Sequence, residues 1–441
     1  MLAAFDQLQA EGYLIGRHGS GTYVATVMPD KMAGVRADPV ASGGDQAAAS
    51  RLSTRGRSIA SGSRVPLPDV IGARDLSAAF QIGLPAVDEF PLEVWRRMYT
   101  SRLRQSGPAL MSYGDPAGYA PLREAVASYL VTARGVRCTA EQVIIVTGSQ
   151  QALEFCARML LDVGDPAWLE EPGYLGARAA LSSGGARIVP IPVDQDGLDV
   201  AAGATLEPDA RMTVVTPSHQ FPLGSTMSLE RRLALLRWAA AKQAWVIEDD
   251  YDSEFRYVGR PLAALQGIDS YRRVIYIGTF SKVLFPSLRL GYMIVPPDLV
   301  DGFTAAHLGS DMHPPVIDQA VVTDFMAHGH FARHLRRMRC LYAQRQQLLI
   351  EAAARLGDRM RLEPSDGGLH LVGWLPGDVD DSEVARRALR HHIHVWPLSQ
   401  NYLTRPPRPG ILLGYAGANH DQILAGIDVL DRVVPSQHGT A

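Results

Sequence analysis

The sequence predicts an α/β protein in which a mostly parallel sheet is wrapped by helices and followed by a smaller α+β domain. Short apolar runs, many of them β-branched, alternate with amphipathic helical segments from about residue 110 to residue 310. That alternation is typical of parallel strands joined by helices. From Met360 onward short strands are mixed with a helix that we expect over 381–391.

The first 25 residues predict a helix followed by a two-stranded ribbon. Leu2, Phe5 and Leu8 have helical spacing, and residues 13–24 predict two short strands around a Gly-Ser-Gly turn. A piece of this size cannot bury a core of its own, so residues 1–25 indicate the end of a larger domain. Residues 26–75 are rich in Gly, Ala, Ser, Asp and Arg without periodicity and predict a linker.

Regular structure is expected again over 76–435, with a large part at about 110–310 and a small C-terminal part at about 330–435. Within the large part we expect helices over 120–133 and 229–241, a strand over 143–146, and further strands around Val214, Val246 and 274–277.

Composition excludes several classes of protein. The net charge of −3 means that the chain as a whole is not built for nucleic acid, although a small local element can still bind it. Cys138, Cys156 and Cys340 lie far apart, so we expect neither a disulfide framework nor a metal site, and a cytoplasmic setting. No apolar run approaches the ~20 residues of a membrane span, and no secretory signal is apparent at the N-terminus.

A lysine stands out because lysine is so rare here. Only Lys31, Lys242 and Lys282 occur among 43 basic residues. Lys282 lies in IYIGTFSKVLFPSLRLGYMIV, residues 275–295, just after a predicted strand. A lysine in a largely apolar pocket supplies a free amine for covalent chemistry with an aldehyde. Taken alone, the segment is also consistent with a lysine that reaches solvent beside an ordinary loop.

The same segment and the one before it carry groups that suit a charged aromatic cofactor. Arg289, with the hydroxyls of Thr279 and Ser281, can hold a phosphate dianion. In WVIEDDYDSEF, 245–255, an apolar strand runs into carboxylates, and ligands of open α/β sheets bind at such strand ends. A carboxylate there can pair with a protonated ring nitrogen, and Tyr251 can bond a phenolic oxygen. A metal-binding or merely solvated acidic cluster is the alternative.

Two further segments are weaker signals. VIIVTGSQQALEF, 143–155, predicts a strand, a turn and a helix whose first N–H groups suit phosphate. In EPGYLG, 171–176, Tyr174 can stack on a flat ring, although a buried structural tyrosine explains the segment equally well.

Together, these four segments resemble, in order and spacing, the fold type I pyridoxal-phosphate enzymes. They are most similar to the branch fused to GntR-type winged helix–turn–helix modules, the MocR regulators. The resemblance covers nearly the whole chain from Phe80 onward. Supporting phrases are QIGLPAVDEFP at 81–91, YGDPAGYAPLREAVASYL at 113–130 and TPSHQFPLG at 216–224.

The resemblance implies a role for each site residue. Lys282 would bind the aldehyde of pyridoxal 5′-phosphate, Asp249 would pair with its pyridine nitrogen, and Tyr251 would bond its phenolic oxygen. Tyr174 looks like the residue that stacks on the ring. Tyr113 matches a tyrosine that in relatives reaches the phosphate of the neighbouring subunit, which implies a homodimer. The implied phosphate ligands are Ser149, Gln150, Thr279, Ser281 and Arg289.

The N-terminal segment AFDQLQAEGYLIGRHGSGTYVA, 4–25, is similar to the end of a recognition helix and the wing of a GntR domain. In that family roughly fifty residues of earlier helices come before this point, so the winged helix looks truncated here. We expect DNA binding if a complete winged helix lies upstream.

The sequence departs from the aminotransferase pattern at two positions. Phe221 stands where those enzymes have an asparagine before the Pro-x-Gly turn. Leu412 stands where they have the arginine that clamps a substrate carboxylate, and Arg405 and Arg408 lie outside the expected strand. Cofactor binding is therefore better supported than transamination, because positioning supplies much of a rate.

Three functions follow as hypotheses. The first is a transcription regulator that senses pyridoxal phosphate or its adduct with an amine or amino acid. The second is a working aminotransferase in which residues 1–75 are a vestige. The third is a relative that has lost the cofactor and acts as a scaffold.

Overall fold

The computed structural model describes residues 2–26, 52–53, 56–57, 59–60, 78–105, 107–259 and 262–435. The chain divides into two compact units, Met1–Arg57 and Ser58–Ala441. The predicted linker, 26–75, lies outside the described residues except at 26, 52–53, 56–57 and 59–60.

The first unit begins with a helix and an antiparallel hairpin, as predicted. Helix α1 spans Leu2–Ala10, strand β1 spans Leu14–Arg17 and strand β2 spans Gly21–Val24. The turn between the strands places Gly19 and Gly21 at φ of +83° and +102°, a region that favours glycine. Phe5, Ile15 and Tyr23 are exposed, which agrees with a piece that has no core of its own.

An eight-stranded sheet forms the centre of the second unit. Its strands are β3 (Val143–Val146), β4 (Pro166–Glu171), β5 (Arg187–Asp194), β6 (Gly197–Leu198), β7 (Met212–Val215), β8 (Trp245–Asp250), β9 (Val274–Thr279) and β10 (Gly291–Ile294). Their order is β3-β10-β9-β8-β7-β4-β5-β6. The five strands from β9 to β5 run parallel, β10 is antiparallel to both of its neighbours, and β6 is antiparallel to β5. The sheet is thus mostly parallel, as predicted.

Helices cover both faces of this sheet. Ile144 packs in one core together with Leu153 of the following helix. Ile145 packs in the core on the opposite face together with Leu122. Because successive side chains of a strand point to opposite faces, such a strand reads as a continuous apolar run. The helices are α2 (Leu92–Gln105), α3 (Ala120–Arg134), α4 (Ser149–Leu160), α5 (Leu175–Gly184), α6 (Val200–Leu206), α7 (Leu229–Lys242), α8 (Leu265–Ile268), α9 (Val300–Leu308), α10 (Val316–Ala327) and α11 (His330–Ala353).

A four-stranded antiparallel sheet follows α11, which confirms the smaller α+β part. Its order is β11-β12-β14-β13. Leu371 and Leu413 face the core that also contains Leu349 of α11, while Val372 and Leu412 face a separate apolar cluster. The elements are β11 (Arg361–Leu362), β12 (His370–Trp374), α12 (Asp381–Leu389), β13 (Trp396–Pro397), β14 (Gly410–Gly414) and α13 (His420–Val433).

The predicted helix boundaries hold to within two residues. The helices predicted over 120–133 and 229–241 each extend one residue further. The helix predicted to end at His391 ends at Leu389 instead, because the chain turns there and His392 adopts a left-handed φ of 59°. None of the helices among the described residues is long and apolar enough to cross a membrane.

Candidate functional site

The predicted functional segments all follow strands at one edge of the large sheet. β8 and β9 end at Asp250 and Thr279, and β3 ends three residues before Ser149. β3 and β9 run the same way, since both are antiparallel to β10. The carboxyl ends of these strands therefore meet at one edge, where open α/β sheets bind ligands.

Lys282 is held by its amine against the backbone of a distant segment. Its Nζ donates to the carbonyl oxygen of Gly83 at 2.8 Å. Burial lowers the pKa of the Lys282 ammonium, an effect that the carboxylates of Asp252 and Asp249 oppose. Gly83 has a φ of +71°, and a Cβ there would lie 2.5 Å from the lysine Nζ. Only glycine at position 83 leaves room for the amine in this position.

Asp249 has a buried oxygen without a donor. The residue is 4% exposed, and its Oδ1 has no hydrogen-bond partner among the described residues. Burial, helped by the neighbouring charge of Asp250, raises the pKa of Asp249 to about 7, while Lys282 acts in the opposite direction. An unsatisfied buried carboxylate is costly, so a donor that enters the pocket would be bound strongly.

The two carboxylates before and after Asp249 are already committed to the fold. Asp250 accepts hydrogen bonds from Arg134 Nε at 2.9 Å and from the Tyr276 hydroxyl at 2.6 Å. Glu248 accepts from two backbone N–H groups at the start of α8. The Oδ1 of Asp250, like that of Asp249, has no partner among the described residues, but the fold supplies donors to Glu248 and to the other oxygen of Asp250, whereas no donor to Asp249 is found in the described part of the chain. Among the described residues no group of three or more side chains is arranged to hold a metal ion.

Tyr251 belongs to a buried polar group that includes a histidine. His219 Nδ1 lies 3.0 Å from the Tyr251 hydroxyl and 2.9 Å from Oδ2 of Asp252, while its Nε2 lies 3.3 Å from Ser365 Oγ. Burial, with the charges of Asp252 and Asp249, raises the pKa of Tyr251 well above its ordinary range. The phenol therefore keeps its proton and can act as a donor.

His219 lies two residues before Phe221 in the sequence, and its contact with Tyr251 was not predicted. His219 and Tyr251 lie 32 residues apart, so no local periodicity connects them. The available signal was the TPSHQFPLG segment, whose polar residues follow the strand next to β8.

The predicted phosphate ligands meet around the beginning of α4. Gly148, with a φ of +81°, precedes Ser149, and a Cβ on Gly148 would lie 3.2 Å from a guanidinium nitrogen of Arg289. Arg289 is exposed and donates to the carbonyl oxygen of Thr147 at 3.2 Å. A cation thus stands beside the free N–H groups of a helix N-terminus, an arrangement that suits a phosphate.

The remaining phosphate candidates differ in how far they are already bonded. The Oγ of Ser281 is buried and has no partner within the described part of the chain. Thr279 Oγ1 accepts from the backbone N–H of Ser281 at 3.1 Å. The side-chain amide of Gln150 donates to the carbonyl oxygen of Gly176 at 3.0 Å, which connects it to the first turn of α5.

Aromatic rings line the pocket beside these groups. Tyr174 meets Phe221 edge to face with ring centroids 5.7 Å apart, and Phe221 meets Tyr251 in the same way at 6.0 Å. Burial raises the pKa of Tyr174 to about 12. Tyr113, by contrast, is 79% exposed, and its ring contacts His313, which is not one of the predicted site residues.

Residues 80–425 match the model of the family aminotransferase class I and II. Over 98% of its length the chain is 42% identical to the probable rhizopine catabolism regulatory protein MocR of Rhizobium meliloti, 85% of which is covered. The chain belongs to the class I and II aminotransferases, in the MocR branch of transcription regulators. The pyridoxine biosynthesis regulator PdxR of Corynebacterium glutamicum is 31% identical over 96% of this chain and 84% of its own.

Solved aminotransferases share the fold of this MocR-type chain. The α-aminoadipate aminotransferase LysN of Thermus thermophilus, in complex with N-(5′-phosphopyridoxyl)-L-leucine, matches with a TM-score of 0.77 and 30% identity. That match covers 85% of this chain and 96% of LysN. Pyridoxal 5′-phosphate is accordingly the cofactor of this domain.

The chemistry of the pocket fits this cofactor. The charge of Asp249, a buried carboxylate without a donor, acts on Lys282, an amine of lowered pKa, and Ser281, which directly precedes Lys282, has a buried hydroxyl without a partner among the described residues. The aldehyde of the cofactor suits the amine, its ring nitrogen suits the carboxylate, and its phosphate suits the hydroxyl. Leu412, which by the sequence resemblance stands at the position of the carboxylate-clamping arginine, is fully buried in β14.

Proposed function

We propose that this chain is a transcription regulator whose aminotransferase-like domain binds pyridoxal 5′-phosphate through Lys282 and responds to the cofactor or to its adduct with an amine. The observation that supports the proposal is the buried Asp249 without a donor, whose charge acts on the amine of Lys282, together with a strand β14 that carries no arginine. Such a pocket holds the cofactor well but positions an amino-acid substrate poorly.

Each pocket residue has a task in this proposal. When bound, pyridoxal phosphate supplies an aldehyde carbon and an electron-withdrawing ring. Lys282 provides the amine that holds that carbon. Asp249 accepts a hydrogen bond from the protonated ring nitrogen, and Tyr251 donates to the phenolic oxygen. Tyr174 stacks on the ring, and the phosphate is held by Ser149, Gln150, Thr279, Ser281 and Arg289.

The charge of Asp249 is central to that arrangement. Burial favours its protonated form. A cationic ring nitrogen beside it reverses this preference, because an opposite charge at hydrogen-bond distance stabilises the carboxylate. The pair would then keep the ring charged and hold the cofactor against water.

The remaining parts of the chain are assigned on the same basis. Residues 1–25 supply the end of a recognition helix and a wing, 26–75 a linker, and 76–435 the cofactor domain. Two chains form a homodimer in which Tyr113 reaches the phosphate of the neighbouring subunit. Ligand binding shifts the population of domain arrangements and so changes the affinity for DNA.

Lys282→Ala tests the cofactor assignment, and Lys242→Ala is its matched control because Lys242 is a surface residue paired with Asp209. We expect the visible absorbance of the lysine-bound cofactor in the wild type and the control, and its loss in Lys282→Ala. A band that survives Lys282→Ala would disprove the assignment. For the regulator, full-length protein should retain a DNA fragment from upstream of its own gene, with a midpoint that shifts when the cofactor is added.

An active aminotransferase is the second candidate function. It is favoured by the presence of Lys282, Asp249 and Tyr251 together in the pocket. A panel of amino donors with 2-oxoglutarate or pyruvate as acceptor tests it. Turnover no faster than that of free pyridoxal phosphate removes this candidate and leaves the regulator.

A further inference from the structure

The wall of the pocket next to the Lys282 amine is apolar. Gly83, whose carbonyl oxygen binds the Lys282 Nζ, follows Ile82, and Ile82 packs on the cluster formed by Val372, Trp396, Leu398 and Leu412. We call this cluster the apolar wall. The segment that carries Ile82 is fixed beside the wall, since the backbone N–H of Gly414 in β14 donates to the carbonyl oxygen of Phe80 at 3.0 Å.

The apolar wall also reaches the aromatic side of the pocket. Phe221 and Leu175 pack against it. Phe221 contacts the rings of both Tyr174 and Tyr251, and Leu175 directly follows Tyr174 in the chain. The wall is therefore in contact with Ile82, which precedes the residue that binds the Lys282 amine, and with Phe221, which contacts both tyrosine rings.

We propose that the ligand which this pocket accepts beside the cofactor is a primary amine without a carboxylate. The inference rests on the proposed function, because it concerns the same pocket. Leu412 lies in the centre of the wall, fully buried between Val372 and Trp396 on the neighbouring strands. No cation faces the ligand from this strand.

The nearest basic residues in sequence do not replace the missing cation. Arg405 and Arg408 are exposed, and the guanidinium of Arg408 lies over the Trp374 ring at 4.9 Å from its centroid. Arg134, which is buried, is fully engaged by Asp250 and Ser218. A carboxylate placed against the wall would lose its hydration without gaining a partner.

Two acidic residues near the tyrosine rings act in the same direction. Burial raises the pKa of Glu170 to about 7, and its ionised form acts on both Asp249 and Tyr251. Glu171 lies directly before the Tyr174 loop and accepts hydrogen bonds from the backbone of Leu403 and Thr404. These acidic groups favour a cationic amine over a zwitterion, since the carboxylate of an amino acid would be repelled.

Matched pairs of ligands test this on the protein loaded with its cofactor. The probes are phenethylamine against phenylalanine, and 3-methylbutylamine against leucine, each pair differing only in the carboxylate. Binding is followed by the absorbance change of the bound cofactor and, independently, by calorimetry. We expect each amine to bind at least tenfold more tightly than its amino acid. Equal or tighter binding of the amino acids overturns the proposal.

Leu412→Arg, with Leu412→Met as the uncharged control, connects the preference to the wall. We expect the amine preference to shrink at least tenfold in the arginine variant and to persist in the methionine variant. If Leu412→Arg fails to fold, seen as loss of the cofactor band and of far-ultraviolet dichroism, the wild-type comparison still decides. A missing cofactor band in the wild type would count against the proposed function, whereas an intact band that neither member of a pair perturbs would count against this inference alone.

Discussion

Three neighbouring carboxylates in β8 differ in the hydrogen-bond donors that the fold supplies to them, and this difference determines which of them can bind a ligand. Glu248 accepts hydrogen bonds from two backbone N–H groups, and Asp250 accepts hydrogen bonds from Arg134 and Tyr276 on its Oδ2. The Oδ1 atoms of Asp249 and Asp250 are both buried without a donor among the described residues, and Asp249 has no donor from the fold on its other oxygen either. A buried acceptor that the fold leaves open costs folding free energy, and proteins keep such groups where a ligand completes them.

Because burial disfavours the charged form of Asp249, the effect of Asp249→Asn on the free energy of unfolding should depend on pH. The pKa of Asp249 lies at about 7 in the folded protein and near 3.8 in the unfolded chain. Between these values the unfolded chain releases a proton that the folded protein retains, so stability falls as the pH rises through this window. Asparagine does not titrate, and the variant should therefore stabilise the cofactor-free protein by about 2–4 kcal/mol at pH 8 and by almost nothing at pH 4.

Urea unfolding of the cofactor-free wild type and variant at several pH values between 4 and 8 measures this difference. Asp250→Asn serves as the contrast, because it breaks the pair with Arg134 and should destabilise the protein across the whole range. A difference between wild type and Asp249→Asn that stays constant with pH would show that the carboxyl of Asp249 is not held in its protonated form.

His219 is a positioning residue for Tyr251, and its removal should change the cofactor rather than the fold. His219→Asn takes away the imidazole nitrogen that lies 3.0 Å from the Tyr251 hydroxyl. A less firmly held Tyr251 donates less well to the phenolic oxygen, and the pKa read from the cofactor absorbance should rise by about one unit. Ser365→Ala removes only the partner of the other ring nitrogen and should leave that pKa within a few tenths. If the pKa read from the cofactor absorbance is unchanged in His219→Asn, His219 does not position Tyr251.

At the scale of elements, the segment 80–83 connects the small sheet to the pocket. Phe80 bridges to Gly414 at the end of β14, and three residues later Gly83 holds the Lys282 amine. We expect Gly83→Ala to weaken cofactor attachment about tenfold or more, since its Cβ would occupy the place of the amine and its φ of +71° disfavours any side chain. Gly377→Ala, at a position with open space and no such φ, is the control.

Absorbance at increasing cofactor concentration gives the affinities, and thermal melting reports the fold. The expected pattern is a weakened Gly83→Ala protein whose melting temperature falls by a few degrees at most. Attachment as tight as in the wild type would mean that the amine does not depend on the Gly83 carbonyl.

The elements themselves were largely predictable because the large sheet is buried on both faces. A strand such as Val143–Val146 then becomes an unbroken apolar run, and amphipathic helices such as Ala120–Arg134 stand out between such runs. The antiparallel direction of Gly291–Ile294 could not be read, because burial on two faces gives the same pattern for either direction. The helix ends early, at Leu389, because the chain turns at His392 in a left-handed conformation. Since no glycine stands at that position, the turn could not be predicted.

The site residues that lie at strand ends could be predicted from the sequence. The contacts between residues that are distant in sequence could not. Asp249 lies near the end of β8 and Lys282 follows β9, and because these parallel strands are neighbours, the two segments could be grouped from the strand-end rule. The contacts of Gly83 with Lys282 and of His219 with Tyr251 join residues 199 and 32 positions apart. Such pairs are fixed by tertiary packing, which a single sequence does not reveal.

At the scale of the whole molecule, the exposed Tyr113 predicts that the pocket is completed by a second chain. Tyr113 is 79% exposed, and so is Met111 nearby, which makes Met111→Ala a matched control. If Tyr113 reaches the phosphate of the other subunit, Tyr113→Ala should weaken cofactor binding about tenfold, and Met111→Ala should not. Sedimentation should show a dimer for all three proteins. Equal affinities of the two variants would place Tyr113 outside the pocket of either subunit.

Mixed dimers test the exchange between subunits directly. A Lys282→Ala chain keeps Tyr113, and a Tyr113→Ala chain keeps Lys282. In a dimer of one of each, one pocket combines the intact lysine with the intact tyrosine and the other pocket lacks both. Because random reassociation makes about half of the dimers mixed, tight cofactor binding should reappear in about a quarter of the pockets after denaturation and refolding together. If Tyr113 acted within its own subunit, mixing would restore nothing, since no chain would carry both residues.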